Sequence, residues 1–301
     1  MILKASEEEI NNRLDLTLMR EYKENPSKIR LARDRYIKTW KDDSDINRLI
    51  PSKQSKLSKF GKIDDERAVR SIVDYWFEAE MFTTMSVGQA RDYMLASQKT
   101  ISFSVEGDIP QSGMQPILIE TLHHRLCFSV IYSVVNNLLV DFNYRKFILL
   151  HMNSPLESRL GAINAILKNS PNAEPVSIQI KGEWIKELSN QITNDSVVIY
   201  MGDMSTAILE KSHQPRKANN YLHLFADKGC YVDSLSIARI LARRLSAKHL
   251  MLDYPEKDVT CLRAWSKNSP LRCPLVEWIF WPAFQQLYDV KPLPIKTVDH
   301  L

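Results

Sequence analysis

The chain has 301 residues, 44% of them hydrophobic and only 8 of them glycine, so it can bury one large core or two modest ones but is poor in the residue that phosphate-cradling loops need. Its formal net charge of +4 is mild, and neither a GxGxxG nor a GxxxxGKS/T pattern occurs, which argues against a P-loop or a standard dinucleotide site. Cys127, Cys230, Cys261 and Cys273 stand far apart with no CxxC spacing and read as reduced, mostly buried thiols rather than zinc ligands.

The amino-terminal residues turn acidic at Glu7-Glu8-Glu9 before an apolar run of signal-peptide length develops, so a cytoplasmic protein is expected. Ser6 and Glu9 have the spacing of a capping box, which predicts a first helix ended by Asn25-Pro26-Ser27. A second helix is expected over 27–40, with Ile29, Ala32, Tyr36, Ile37 and Trp40 on one face. Arg48, Lys53, Lys56, Lys59 and Lys62 follow in a stretch without acids. That run reads as a solvated connection, or as a patch for phosphate-bearing partners; lacking interleaved aromatics apart from Phe60, it does not point to nucleic acid. Asp64-Asp65-Glu66 opens another helix, whose Val69, Ile72, Val73, Trp76 and Phe77 share an apolar face.

Around residue 100 the pattern changes. Ile101-Ser102-Phe103-Ser104-Val105 alternates like a half-buried strand, and Gly107-Asp108-Ile109-Pro110 ends it. A long helix is expected from 114 or 116 to 139, carrying His123 and His124, whose side chains would diverge by about 100° on a helix and so would not share a metal. Five apolar runs then read as strands: 147–151 ending in His151, 176–180, 197–201 followed by Gly202-Asp203, 221–225, and 249–253 ending in Asp253. Ser154-Pro155 opens a helix after the first of these, and Asp233-Ser234 is expected to cap a helix over 235–245. Trp265, Trp278, Trp281 and Phe284 crowd a proline-punctuated tail in which 275–288 reads as a terminal helix. The expected fold class is α/β: a mixed, largely parallel sheet flanked by helices, with a mainly helical amino-terminal region over 1–100 and the α/β domain with its carboxy-terminal helix over 101–301. In such sheets ligands gather at the carboxyl ends of the strands, where His151, Gly202, Asp203 and Asp253 are expected.

The order of elements over about 140–255 resembles the lysophospholipid-acyltransferase-like fold, in particular the late acyltransferases of lipid A assembly. The last unit of that layout looks like Leu222-His223-Leu224-Phe225-Ala226, then 236–245, then 248–252. The family's strand ends in an HxxxxE or HxxxxD motif at a helix start. Here the corresponding residues are His151 and Glu157, with five residues between them instead of four. The resemblance implies acyl transfer from a thioester, with acyl-coenzyme A or an acyl-carrier protein as donor and peripheral contact with a membrane. His151 would be the general base, Glu157 would orient it, and a backbone donor near Gly202 and Asp203 would form the oxyanion or acceptor site. No bound cofactor and no metal are implied.

Arg239 and Arg243 lie four apart on one helix face with Arg244 and Lys248 alongside, so Arg239, Arg243 and Lys248 are candidates for phosphate binding; the plainer reading is a solvated face. No GxSxG or HExxH occurs, which leaves serine-hydrolase and zincin chemistry without support. Asp203, Asp227, Asp233, Asp253 and Asp258 would make a carboxylate metal site only if they converge. Three readings therefore stand: a minor one, a nucleic-acid-processing accessory protein using the lysine run and the scattered aspartates, and two principal ones from different classes. One is an acyltransferase-like enzyme. The other is a non-catalytic α/β binding or scaffold protein with a degenerate site, which predicts no convergent polar pocket at the strand ends.

Overall fold

The computed structural model describes residues 71, 74, 75, 78, 87–151, 163, 164, 167, 168, 172–202, 222–227, 230–235, 237–256, 258–266, 271–274, 277, 278 and 290–292. The first two predicted helices, the lysine run and the apolar face of the third helix lie outside these residues. So does most of the predicted terminal helix.

A seven-stranded mixed sheet organises the α/β part. Helix α1 (Val87–Gln98) precedes strand β1 (Ser102–Glu106); β2 (Ile117–Thr121) leads to helix α2 (Cys127–Asp141) and then to β3 (Lys146–His151) and β4 (Glu174–Gln179). Helix α3 (Trp184–Gln191) returns the chain to β5 (Ser196–Met201). The hairpin β6 (Leu222–Asp227) and β7 (Cys230–Leu235) follows, then helix α4 (Ala238–Arg244), β8 (Lys248–Glu256), β9 (Val259–Ala264), β10 (Leu271–Arg272) and β11 (Val290–Pro292). The large sheet runs β1-β9-β8-β2-β5-β3-β4, and a separate four-stranded sheet runs β10-β6-β7-β11.

Strands β8, β2, β5, β3 and β4 are mutually parallel. β9 pairs antiparallel to β8, and β1 pairs parallel to β9. The expected class is met: a mixed, largely parallel sheet with flanking helices. The central strands are apolar on both faces, as a doubly covered parallel sheet requires; every residue of β2 and β5 is buried. Helix α2 is buried at Cys127 through Val135 and at Leu138, which marks it as an internal layer rather than a surface helix.

Three expectations are corrected. The long helix over 114–139 is a strand, a loop and a helix: Ile117–Thr121 forms β2, and His123 and His124 lie in the loop before α2. The run of Ile117, Leu118 and Ile119 suits a strand buried on both sides, and pairing with β5 and β8 overrides the helical pattern that follows it. Asp233 and Ser234 belong to β7, not to a helix cap, because Cys230–Leu235 pairs with β6 as a hairpin; α4 starts only at Ala238, with no side-chain cap. The strand expected over 221–225 forms at Leu222–Asp227, but in the small sheet rather than the large one. The expected strand at 101–105 exists as β1, yet most of its residues are exposed because it is the sheet's edge.

Candidate functional site at the carboxyl end of the sheet

From β2 the sheet extends in two directions, with β5, β3 and β4 to one side and β8 to the other. The chain leaves β3 toward β4 and leaves the adjacent β5 in the opposite direction, toward β8, which puts a topological switch point at the carboxyl ends of β3 and β5, next to β2, where open α/β sheets leave a crevice. Thr121 ends β2, and His124 and Arg125 lie in the loop that follows it. The Thr121 hydroxyl and the Tyr254 phenol of β8 share a hydrogen bond of 2.8 Å. The Gly202 amide donates to the Thr121 carbonyl at 2.7 Å, tying the end of β5 to the end of β2.

His124 is stacked on Tyr254, with ring centroids 4.0 Å apart and planes 12° from parallel. Its Nδ1 accepts the Leu126 N–H at 3.2 Å, which leaves the ring proton on Nε2 to be donated to Glu277 at 2.9 Å. Both nitrogens are therefore engaged. Burial lowers the His124 pKa against the pull of Glu277, so the ring is neutral. Burial alone would raise Glu277, but the contacts with His124 and Arg125 outweigh it and hold this carboxyl well below its ordinary range.

Arg125 is the hub of a buried ion-pair cluster. It donates to Asp74 at 3.1 Å, lies 3.2 Å from Glu277, and pairs with Asp258 in the turn between β8 and β9. Asp74 shares a buried helical face with Ser71, Tyr75 and Glu78, and Glu78 accepts hydrogen bonds from the hydroxyls of Tyr93 and Ser129. One guanidinium thus fastens three segments distant in sequence. Such a network is a buried polar layer that joins those segments.

His151 ends β3 and differs sharply from His124. It is 3% exposed, and neither ring nitrogen has a hydrogen-bond partner among the described residues. Burial lowers its pKa, so it is a neutral imidazole with an unengaged lone pair. The pairings of Leu149 with Ile199 and of Thr121 with Met201 put His151 on the same sheet face as Thr121. Strand β5 separates them, a lateral distance of about 10 Å.

The other sequence candidates divide into groups. Glu157 and Asp203 lie outside the described residues. The Gly202 amide is spent on Thr121, so an oxyanion donor near Gly202 has to be another group. An added Cβ at Gly202 would meet Glu120 Oε1 at 2.5 Å, which explains a glycine there. Asp253 and Asp258 do not converge. Asp253 is fully buried and accepts hydrogen bonds from Arg263 and Arg272, whereas Asp258 belongs to Arg125. Among the described residues no group of three His, Cys, Asp or Glu side chains is arranged to hold a metal ion. Arg239 and Arg243 are exposed on α4, and Lys248 pairs with Ile117 at the amino end of the sheet, away from His151.

Sequence reasoning passed over two constellations. One is His124, Arg125 and Glu277, where the partners lie 153 residues apart; a polar Arg beside a His in an otherwise apolar stretch was its only local signal. The other is Glu120 of β2, fully buried and bonded to His249 of β8 at 2.9 Å. A lone acid inside an apolar strand announces such a buried partner.

No protein-family model matches the chain, and no curated protein matches it.

Proposed function

We propose that the carboxyl end of the sheet is a group-transfer site in which His151 is the general base, and that the reaction is acyl transfer from a thioester donor to a hydroxyl or amine acceptor. One observation carries this reading: His151 is a buried, neutral imidazole at a strand end with both nitrogens unengaged. An unpaired buried imidazole costs stability, and retaining that cost is what a site that awaits a substrate proton requires. In the reaction His151 takes the proton of the acceptor as its oxygen or nitrogen attacks the thioester carbonyl. Collapse of the tetrahedral adduct breaks the carbon–sulfur bond, and His151 returns the proton to the departing thiolate. Glu157 would orient the ring. Acyl-coenzyme A and an acyl-carrier protein are the donors the reading calls for.

The second reading, a binding protein without catalysis, is favoured by the Arg125 network and by the engaged Gly202 amide, polar groups near the end of β2 that are bonded to other protein groups. A panel of acyl-coenzyme A and acyl-carrier-protein thioesters, assayed for thiol release with native chain, His151→Ala and Glu157→Gln, separates the two. Loss of His151 as a base should slow turnover about 100-fold or more. Turnover that survives His151→Ala unchanged sinks the assignment of the base, and absence of turnover with every donor favours the binding protein.

A further inference from the structure

Away from the carboxyl end, α4 presents a one-sided surface. Ala238, Leu241, Ala242 and Leu245 are buried, while Arg239, Ile240, Arg243 and Arg244 are exposed. No acidic residue occurs between Asp233 and Asp253, a stretch that holds these three arginines, Lys248 and His249. None of the four cations makes an ion pair among the described residues. Arg239 instead lies 4.8 Å over the ring of Trp265, and that indole, partly exposed, is stacked on His249 with planes 7° apart. His249 is in turn held by the buried Glu120 at 2.9 Å. The Trp265 ring is thereby fixed beside the arginines on a support that reaches into the core. An isoleucine 40% exposed sits between Arg239 and Arg243.

We propose that this outward face of α4, with Trp265 at its side, docks onto an anionic lipid bilayer. Unpaired cations on one helix face match a negative surface potential. An exposed isoleucine and an indole held at the level of the cations are what an interfacial surface inserts below the headgroups. A free phosphate would use the cations and leave Ile240 without a role. A nucleic-acid strand would ask for a series of stacking rings, and among the described residues Trp265 is the one indole beside these arginines. The surface and its test are independent of the chemistry at His151.

The test is co-sedimentation of the full chain with vesicles of phosphatidylcholine alone and of phosphatidylcholine mixed with phosphatidylserine. The native chain should partition onto the anionic vesicles, much less onto the neutral ones, and release as salt is raised. The double variant Arg243→Gln/Arg244→Gln should weaken partition by about fivefold per arginine, about 25-fold together. Ile240→Ser should also weaken it at unchanged net charge, which separates insertion from charge attraction alone. All three side chains are exposed, so circular dichroism and thermal midpoints should match the native chain. The proposal is overturned if the native chain ignores anionic vesicles, if the double variant partitions like the native chain, or if the arginines prove to be needed for a single-stranded oligonucleotide and not for vesicles.

Discussion

His124 and His151 are both buried, and both are held neutral by desolvation, yet they answer to different demands. His124 is tied at both nitrogens, whereas His151 is tied at neither. Replacement by leucine should therefore act in opposite senses. His124→Leu strands Glu277 and the Leu126 amide and should cost roughly 2–4 kcal/mol. His151→Leu removes an unpaired polar group from an apolar setting and should be neutral or stabilising by up to about 2 kcal/mol. Urea unfolding of the two variants measures both. The sign with pH follows from the lowered values: the unfolded chain takes up protons on these rings below about pH 6.5 while the folded chain does not. Their stabilisation is thus complete above that pH and is lost as pH falls toward the folded values. The urea midpoint should drop between pH 7.5 and pH 5, and His151→Leu should flatten part of the drop, about 2 kcal/mol at most.

At the scale of elements, the tightest join is between the ends of β2 and β5. Gly202→Ala would drive a methyl group into the Glu120 carboxylate, which is fully buried and bonded to His249 and so has little room to yield. A loss of roughly 1–3 kcal/mol is expected, read from the urea midpoint. The join of β8, β9 and β10 rests on Asp253, which receives Arg263 and Arg272. Asp253→Ala leaves two guanidiniums without their carboxylate and should cost roughly 3–5 kcal/mol in the same measurement. The sequence made some of these elements easy to read and hid others. Strands β3, β4, β5 and β8 announce themselves by branched apolar runs between turn signals, and each forms within a few residues of where it is expected. Strand β2 does not, because no glycine or proline separates its five residues from the helical pattern after them. Strand β7 hides for another reason: Asp233 and Ser234 have the chemistry of a helix cap, and only pairing with β6 decides against it. His151 was legible at a strand end, while the partners of Arg125, gathered from 51, 133 and 152 positions away, were not, since no local pattern encodes a meeting of such distant segments.

For the molecule as a whole, Arg125 is the point where an amino-terminal helix, the β8–β9 turn and the segment around Glu277 are held together. Arg125→Met keeps the volume but leaves three carboxylates near one another without a cation. Hydrogen exchange should accelerate around 71–78 and 271–278 while the amides of β2, β3 and β5 stay protected, because those strands are buried by apolar packing rather than by the arginine. Uniform acceleration across the sheet would show that the hub supports the core itself.

The central position of β2 also carries a consequence for synthesis. Its two neighbours are β5 and β8, and the bond between Ile117 and Lys248 closes a span of 131 residues. At roughly 5–20 residues per second on the ribosome, about 7–26 seconds separate the synthesis of Ile117 from that of Lys248. Throughout that interval a strand that is buried along its whole length in the folded protein has an open edge. A nascent chain arrested before residue 248 should therefore be the form that chaperones hold, and release should coincide with the arrival of β8.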